Sequence, residues 1–303
     1  MDTTQVESPS SPPLSPVELT GAAPSPAVSP IIQTSVRAPS FLLLGAPGSG
    51  KTVLACSAPG KKYLVDMDAK ADEMEILRPK VESGELTIHD LTSPLMMDTL
   101  RARAVSAMAR RTYTNEPTGY LEFCALVSEM ATVGKDADVW IIDPLTRVGE
   151  HLARYIAYGN KVASMRPRDY GTYLKMMEEV IDKLRKTARR MNKILICTIH
   201  QRYLEEPQSD TKIVHSSGGE AEKTGTGVMR QMPALEGQIA AKLVGYFSEA
   251  YICKTVPGQG GRVKYIVQTV PDDMSDARTS RKLPPYFVGT LADVINGTVK
   301  AVE

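Results

Sequence analysis

Phe41-Leu42-Leu43-Leu44 leads straight into Gly45-Ala46-Pro47-Gly48-Ser49-Gly50-Lys51-Thr52, an apolar run of strand length followed by a complete GxxxxGK[ST] phosphate loop. Thr52-Val53-Leu54-Ala55-Cys56 continues as a helix, which completes the strand-loop-helix context in which that motif binds phosphates. Gly45 and Gly50 let the backbone turn without Cβ clashes, so successive N–H groups converge on phosphate oxygens at the positive end of the helix. Lys51 supplies a point charge to the β/γ-phosphates, and the Thr52 hydroxyl is a ligand for Mg²⁺. A nucleoside triphosphate site over residues 45–52 is therefore the first expectation.

Working outward, the 303 residues allow one large domain or two small ones, and the apolar content is ordinary for a globular protein. The 36 lysines and arginines almost balance 35 aspartates and glutamates, so any basic surface must be local. No apolar run reaches about eighteen residues and the N-terminus lacks a basic-then-apolar leader, so a cytoplasmic protein with no membrane partner is expected. Cys56, Cys124, Cys197 and Cys253 lie far apart inside apolar segments, which suits buried thiols better than disulfides or a zinc site.

Eight of the 21 prolines fall in residues 1–40, among many serines and with almost no periodic apolar content. Such a stretch buries too little surface to offset its ordering entropy, so residues 1–39 are expected to be a disordered tail ahead of one domain over 40–303. From Phe41 onward strand-like runs alternate with helical patterns: Phe41–Leu44, Tyr63–Asp66, Leu86–His89, Val139–Asp143, Ile194–His200, Ala250–Thr255 and Arg262–Thr269. This is the rhythm of an α/β fold with a mainly parallel sheet flanked by crossover helices. The clearest helix is Asp169–Arg190, with Tyr170, Leu174, Met177, Ile181, Leu184 and Ala188 at helical spacing. Pro257-Gly258-Gln259-Gly260-Gly261 joins the last two runs as a hairpin turn, so the sheet is expected to end antiparallel.

Asp138-Val139-Trp140-Ile141-Ile142-Asp143 is an apolar strand ending in an acid, about ninety residues after the loop. Asp143 is the natural second-sphere Mg²⁺ carboxylate, the Walker B partner of Thr52. Pro144 follows it where many ATPases carry a glutamate, so the water-activating base must come from another strand. Tyr63-Leu64-Val65-Asp66-Met67-Asp68 ends in two acids at the edge where α/β sheets place their sites.

At this point the chain resembles the RecA-like ATPases, best the phage-type group related to recombinases and implicated in single-strand annealing, over about Phe41 to Phe287. That resemblance implies a RecA-like P-loop fold, ATP and Mg²⁺ as ligands, homo-oligomerisation, and the cytoplasm of a bacterial or phage-infected cell. It makes Asp68 the base that polarises the attacking water, with Glu73 or Glu75 as substitutes and two solvated turn acids as the alternative. Ile194–Gln201 resembles the strand whose terminal glutamine, here Gln201, senses the γ-phosphate, with Thr198 and His200 beside it. The segment Arg202–Gly227, with Gly218-Gly219 and Gly225-Thr226-Gly227, sits where recombinases carry their second DNA loop, with a solvated, mixed-charge connector as the alternative. Arg154–Tyr173, with Lys161, Arg166 and Arg168 among Tyr155, Tyr158 and Tyr170, sits at the first: cations for phosphates and rings for stacking, or else a solvated connector. Arg278, Arg281 and Lys282 are candidates for a finger reaching a neighbouring subunit's γ-phosphate, with ordinary surface charge as the alternative.

Single-stranded DNA is thus the expected macromolecular ligand, and a single-strand-binding or replication protein a possible further partner. Two other readings stay open. The loop also suits a P-loop small-molecule or nucleotide kinase, against which no compact arginine-rich lid is evident. Asp68, one methylene shorter than glutamate, also suits a nucleotide-gated replication accessory that hydrolyses little.

Overall fold

The computed structural model describes residues 37–91, 118–206, 228–258 and 261–302. The chain divides between Val36 and Arg37, and every described residue belongs to the second unit. Residues 1–36 of the expected tail lie outside the described residues, as do Gly218, Gly219 and Gly225–Gly227.

The parallel part of the sheet is built from β1 (Ser40–Gly45), β2 (Lys62–Asp66), β3 (Leu86–Asp90), β4 (Val139–Asp143), β5 (Ile194–Glu206) and β7 (Glu249–Pro257). Antiparallel strands complete it: β6 (Val228–Pro233), β8 (Val263–Gln268), β9 (Tyr286–Val288) and β10 (Lys300–Ala301). Their order is β10-β9-β8-β7-β1-β5-β4-β2-β3, with β6 paired to β5 alone. One strand, β5, therefore separates the phosphate-loop strand β1 from β4, and β2 lies on the far side of β4.

Alternation along the central strands assigns the two faces. Leu42, Leu44, Val65, Trp140 and Ile142 face a core built with α3 (Gly119–Val133), α4 (Leu145–Gly159) and α5 (Tyr170–Arg190). Phe41, Leu43, Leu64, Val139 and Ile141 face the other core, which takes in Leu54 of α1 (Lys51–Ala55) and Leu291 and Val294 of α7 (Leu291–Asn296). Two short helices, α2 (Arg78–Glu82) and α6 (Ile239–Lys242), complete the set among the described residues. Trp140 is fully buried and its indole N–H donates to the Gly134 carbonyl at 2.8 Å, so burial leaves no orphan donor there. Helix α5 runs one residue short of expectation, and its buried stripe is Tyr173, Met177, Val180, Ile181, Leu184 and Ala188. Tyr170 and Leu174, expected inside, are only partly buried because Tyr173 takes the inward position at the start of the helix, whereas Met177, Ile181, Leu184 and Ala188 are buried as expected.

The sheet's antiparallel flank is fastened through Glu249 at the start of β7. Its carboxylate is 1% exposed and accepts hydrogen bonds from Tyr251 Oη at 2.8 Å, Thr279 Oγ1 at 2.7 Å and the Ser280 hydroxyl, with Arg281 Nε at 3.8 Å. Glu249→Ala orphans these donors, and breaking a buried network of this kind costs about 3 kcal/mol. The expected melting temperature falls by roughly 6–12 °C for a domain of this size. A fall of under about 1 °C in a thermal scan would show that the staple is not needed.

Candidate nucleotide-binding site

Strand register brings the chemistry to one edge. Gly45 sits beside His200 on one flank and Cys253 on the other, and Asp66 sits beside Asp143. All three pairings occur where the parallel pairing ends, so a loop leaving β1 meets the acids leaving β2 and β4.

The loop needs its glycines for identifiable reasons. Gly48 and Gly50 have φ of 75° and 84°, a region that side chains disfavour. At Gly45 a Cβ would fall 2.3 Å from Ser49 Oγ and 2.6 Å from the Cys253 carbonyl. Ala46, Pro47 and Gly48 are exposed, whereas Ser49 is buried with a hydroxyl that has no partner among the described residues. Helix α1 is a single turn, Lys51–Ala55, so anion binding rests on the loop N–H groups and Lys51 more than on a helix dipole.

Lys51 is 6% exposed, and its ammonium donates to the carbonyls of Gly45 at 3.1 Å and Ala46 at 2.8 Å. Two of its three donors hold it along the loop, and the third remains for an anion. Burial lowers its pKa from the usual lysine value, while Asp143 and Asp68 pull the other way.

Thr52 Oγ1 donates to Asp143 Oδ2 at 2.6 Å, and Thr198 Oγ1, from β5, donates to Asp143 Oδ1. Both carboxylate oxygens are thereby oriented, one from the start of α1 and one from β5. Burial raises the Asp143 pKa, and the two threonine hydrogen bonds oppose that. Thr52 and Asp143 form a hard-oxygen set with a lysine and backbone N–H groups alongside, which fits Mg²⁺ bound together with phosphates. Asp143 and Thr52, 91 residues apart in the chain, are thus in direct contact.

The two acids of β2 divide their tasks. Asp66, 3% exposed, accepts backbone N–H bonds from Asp68 at 2.9 Å, Lys70 at 2.8 Å and Ala71 at 2.7 Å, which shapes the following turn. Asp68 is thereby held at the wall of the cavity, where Arg147 Nε of α4 donates to its Oδ1 at 2.5 Å and Arg147 Nη1 reaches Glu150 at 2.7 Å. Glu73 and Glu75 are exposed and do not line the cavity.

A cavity of about 930 Å³ opens over the loop, lined by Lys51, Thr52, Asp66, Asp68, Asp143 and Arg147. Its wall also includes Glu150 and His200. From the side of β1 away from β4, strands β8 and β9 add Tyr265 and Val288, 54% and 46% exposed, and Ile76 adds a third exposed apolar group. Carboxylates and cations for a metal–phosphate group therefore share one cavity with apolar side chains suited to a base.

Other expected site residues lie elsewhere. Gln201 does not line this cavity; alternation turns it away from His200, and its amide donates to Gln231 of β6 at 3.2 Å. The expected first DNA loop is mostly helical: Arg154–Gly159 belongs to α4 and Tyr170–Tyr173 to α5, because Val148, Leu152 and Ile156 repeat at helical spacing. Tyr155 packs against Tyr120, with ring centroids 5.9 Å apart. Arg166 and Arg168 flank the buried Asp169 at 3.6 and 3.9 Å, and Lys161 is exposed in the short connection. The segment after Gln201 is not loop at its start, since Arg202–Glu206 continue β5 and pair with Met232–Val228 of β6. Arg281 is tied to Glu249 and to the Val294 carbonyl, Lys282 is exposed, and Arg278 lies at the opposite end of the strands from the phosphate loop. Cys56, Cys197 and Cys253 are buried free thiols and Cys124 is half-buried. No helix among the described residues is long and apolar enough to cross a membrane.

Arg147 and Tyr265 were not singled out from the sequence. Arg147 has a usable signal, a cation three residues into the helix that follows the Walker B strand; Tyr265 has none without the register of β8.

Three histidines carry a pH signature. Burial lowers the pKa of His89, His151 and His200 below the usual imidazole value, with Lys51 adding to the effect at His200. As pH falls through about 6.5 the unfolded chain takes up protons that the folded chain refuses, so stability falls with it. The raised Asp143 pulls the opposite way with one proton against three. A lower melting temperature at pH 5.5 than at pH 7.5 is expected, and a flat or rising trend would contradict these assignments.

A parallel sheet carrying a phosphate loop, with a threonine–aspartate pair at its C-terminal edge, defines a P-loop nucleotide-binding protein. The chain belongs to the AAA domain family, whose model matches residues 37–279. No curated protein matches it. Among solved structures it is similar to the flagellar accessory protein FlaH from Methanocaldococcus jannaschii, at 14% identity over 84% of this chain and 85% of that one, with a TM-score of 0.40. It is also similar to the KaiC-like protein PH0186 from the hyperthermophilic archaeon Pyrococcus horikoshii OT3, at 14% identity over 81% and 83%, with a TM-score of 0.36.

Proposed function

We propose that this protein hydrolyses ATP with Mg²⁺ and couples the reaction to single-stranded DNA in recombination or strand annealing, acting as a homo-oligomer. Hydrolysis is supported by the arrangement of Thr52, Asp143 and Thr198 around the phosphate loop. Lys51 would neutralise phosphate oxygens, and Thr52 with Asp143 would hold Mg²⁺, which when bound offsets charge on the transferring phosphoryl group. Asp68 would accept the proton of the attacking water once Arg147 leaves its Oδ1.

The observation that carries the coupling is the continuity of β5. One strand bears Thr198 on Asp143, then His200 on the cavity wall, then Gln201 bonded to Gln231, and then the paired segment Arg202–Glu206. A shift at Asp143 would therefore reach the β5–β6 arm through a single element. DNA itself is supported by the resemblance to recombination ATPases alone.

A second reading is favoured by one contact. The ion pair of Arg147 with Asp68 occupies the oxygen a base needs, which suits a nucleotide-gated accessory with little turnover. Phosphate release measured with and without single-stranded DNA, and with a mononucleotide acceptor, separates the readings. The coupled ATPase predicts stimulation by DNA that disappears in Gln201→Ala while ATP still binds. Turnover that is the same with and without DNA would refute the coupling, and transfer to the mononucleotide would favour a kinase.

A further inference from the structure

A second cavity, of about 390 Å³, lies where β1, β5 and β7 begin, lined by Ser40 and Leu195 with Ser248 just ahead of β7. The phosphate loop is at the other end of β1, about 20 Å away for six extended residues. Six cations line this second cavity: Arg37, Arg185, Lys186, Arg189, Lys193 and Arg278. Asp182 is the one carboxylate among them, and it is engaged by Lys186 at 3.0 Å and Arg185 at 3.5 Å. The chain as a whole carries a net charge of only +1, so this is a strong local concentration.

Helix chemistry accounts for part of it. Arg189 lies in the last turn of α5, where a cation complements the carbonyl end of a helix. That reason does not extend to Arg37, which precedes β1, or to Arg278, whose backbone is fixed to Ala250 by hydrogen bonds of 2.8 and 2.7 Å. The floor is rigid: Ser248 N–H donates to Ser40 Oγ at 3.1 Å and Ser40 N–H to Ser248 Oγ at 2.9 Å. Arg185 Nε is screened from solvent and has no hydrogen-bond partner among the described residues. Gathering six cations around a fixed floor costs mutual repulsion, which an anionic ligand offsets. Phe247, the aromatic residue in the wall, is 1% exposed and offers no face to a base. The chemistry recognised is therefore that of closely spaced phosphates.

We propose that this cavity binds the sugar-phosphate backbone of nucleic acid, without reading sequence. The inference rests on the nucleic-acid part of the function proposed above, and adds a contact surface at the sheet edge remote from the nucleotide. The contact should be independent of the nucleotide, since no residue of this cavity also lines the ATP cavity.

The test is an anisotropy titration of a labelled oligothymidine with the full chain, at several salt concentrations, with and without ATP. Lys186→Glu with Arg189→Glu reverses two exposed charges on α5 away from the ATP cavity. The expected result is at least a tenfold loss of affinity and a salt slope reduced by about two, with the same fold-loss in both nucleotide conditions. ATP affinity and melting temperature should match wild type. A milder pair, Lys186→Gln with Lys193→Gln, should lower the slope similarly and guards against misfolding of the reversal. Wild-type DNA binding in both variants would overturn this site while leaving the DNA reading intact; no DNA binding by the wild type would overturn both.

Discussion

Lys51→Ala should lower ATP affinity by about two orders of magnitude or more, the size expected when one partner of a buried, charge-assisted contact is removed. Lys51 is not packed among apolar side chains; it is buried against its own loop. The consequence is a sharper experiment. The ammonium is desolvated before ligand arrives, so its charge is worth more to a phosphate than a solvated lysine would be. Truncation also removes the bonds to the Gly45 and Ala46 carbonyls, both of which lie in an exposed turn or at its edge, so a small stability change should accompany a large binding change. Calorimetry with ATP and a melting curve on the same sample separate the two. Near-normal affinity would contradict the assignment of the loop.

Asp143→Asn is the second large effect expected. The amide keeps the shape but gives up the charge and presents a donor where the carboxylate accepts from both Thr52 and Thr198. Loss of a metal ligand or of its immediate support costs about 10- to 100-fold in metal affinity, so the Mg²⁺ requirement of turnover should move up by that factor. Because burial already raises the Asp143 pKa, the carboxylate depends on those two hydroxyls and on Lys51 to remain charged. Thr198→Val should therefore reproduce part of the same shift without touching a metal ligand. An unchanged Mg²⁺ profile in Asp143→Asn would place the metal elsewhere.

What could be read in advance was whatever is local. The run Phe41–Leu44, the glycines with their turn, and the acid-tipped strand at Asp143 announce themselves within a dozen residues each, and the structure keeps their boundaries to within a residue or two. Helix α4 was equally legible from Leu145, Val148, Leu152 and Ile156, but the charges and rings at Arg154, Tyr155 and Tyr158 drew it into a loop reading. Strand β5 continues six residues past His200 because β6, nearly thirty residues later, supplies its hydrogen bonds; nothing inside Gln201–Glu206 signals that partner. The same holds for β9 and β10, three and two residues long, which exist only by pairing. Within the site, Lys51, Thr52 and Asp143 were legible as a motif, whereas the contact of Arg147 with Asp68, 79 residues apart, depends on topology. Gln201 illustrates the limit of analogy by position: one residue of register decides which face of a strand a side chain takes, and here His200 has the cavity face.

The most direct measurement is a calorimetric titration of the wild-type chain with ATP in Mg²⁺ and again in excess chelator. The account built on Lys51, Thr52 and Asp143 predicts saturable binding of one nucleotide per chain in Mg²⁺, weakened at least tenfold when the metal is removed. Absence of binding in Mg²⁺, or identical affinity in both conditions, would contradict it.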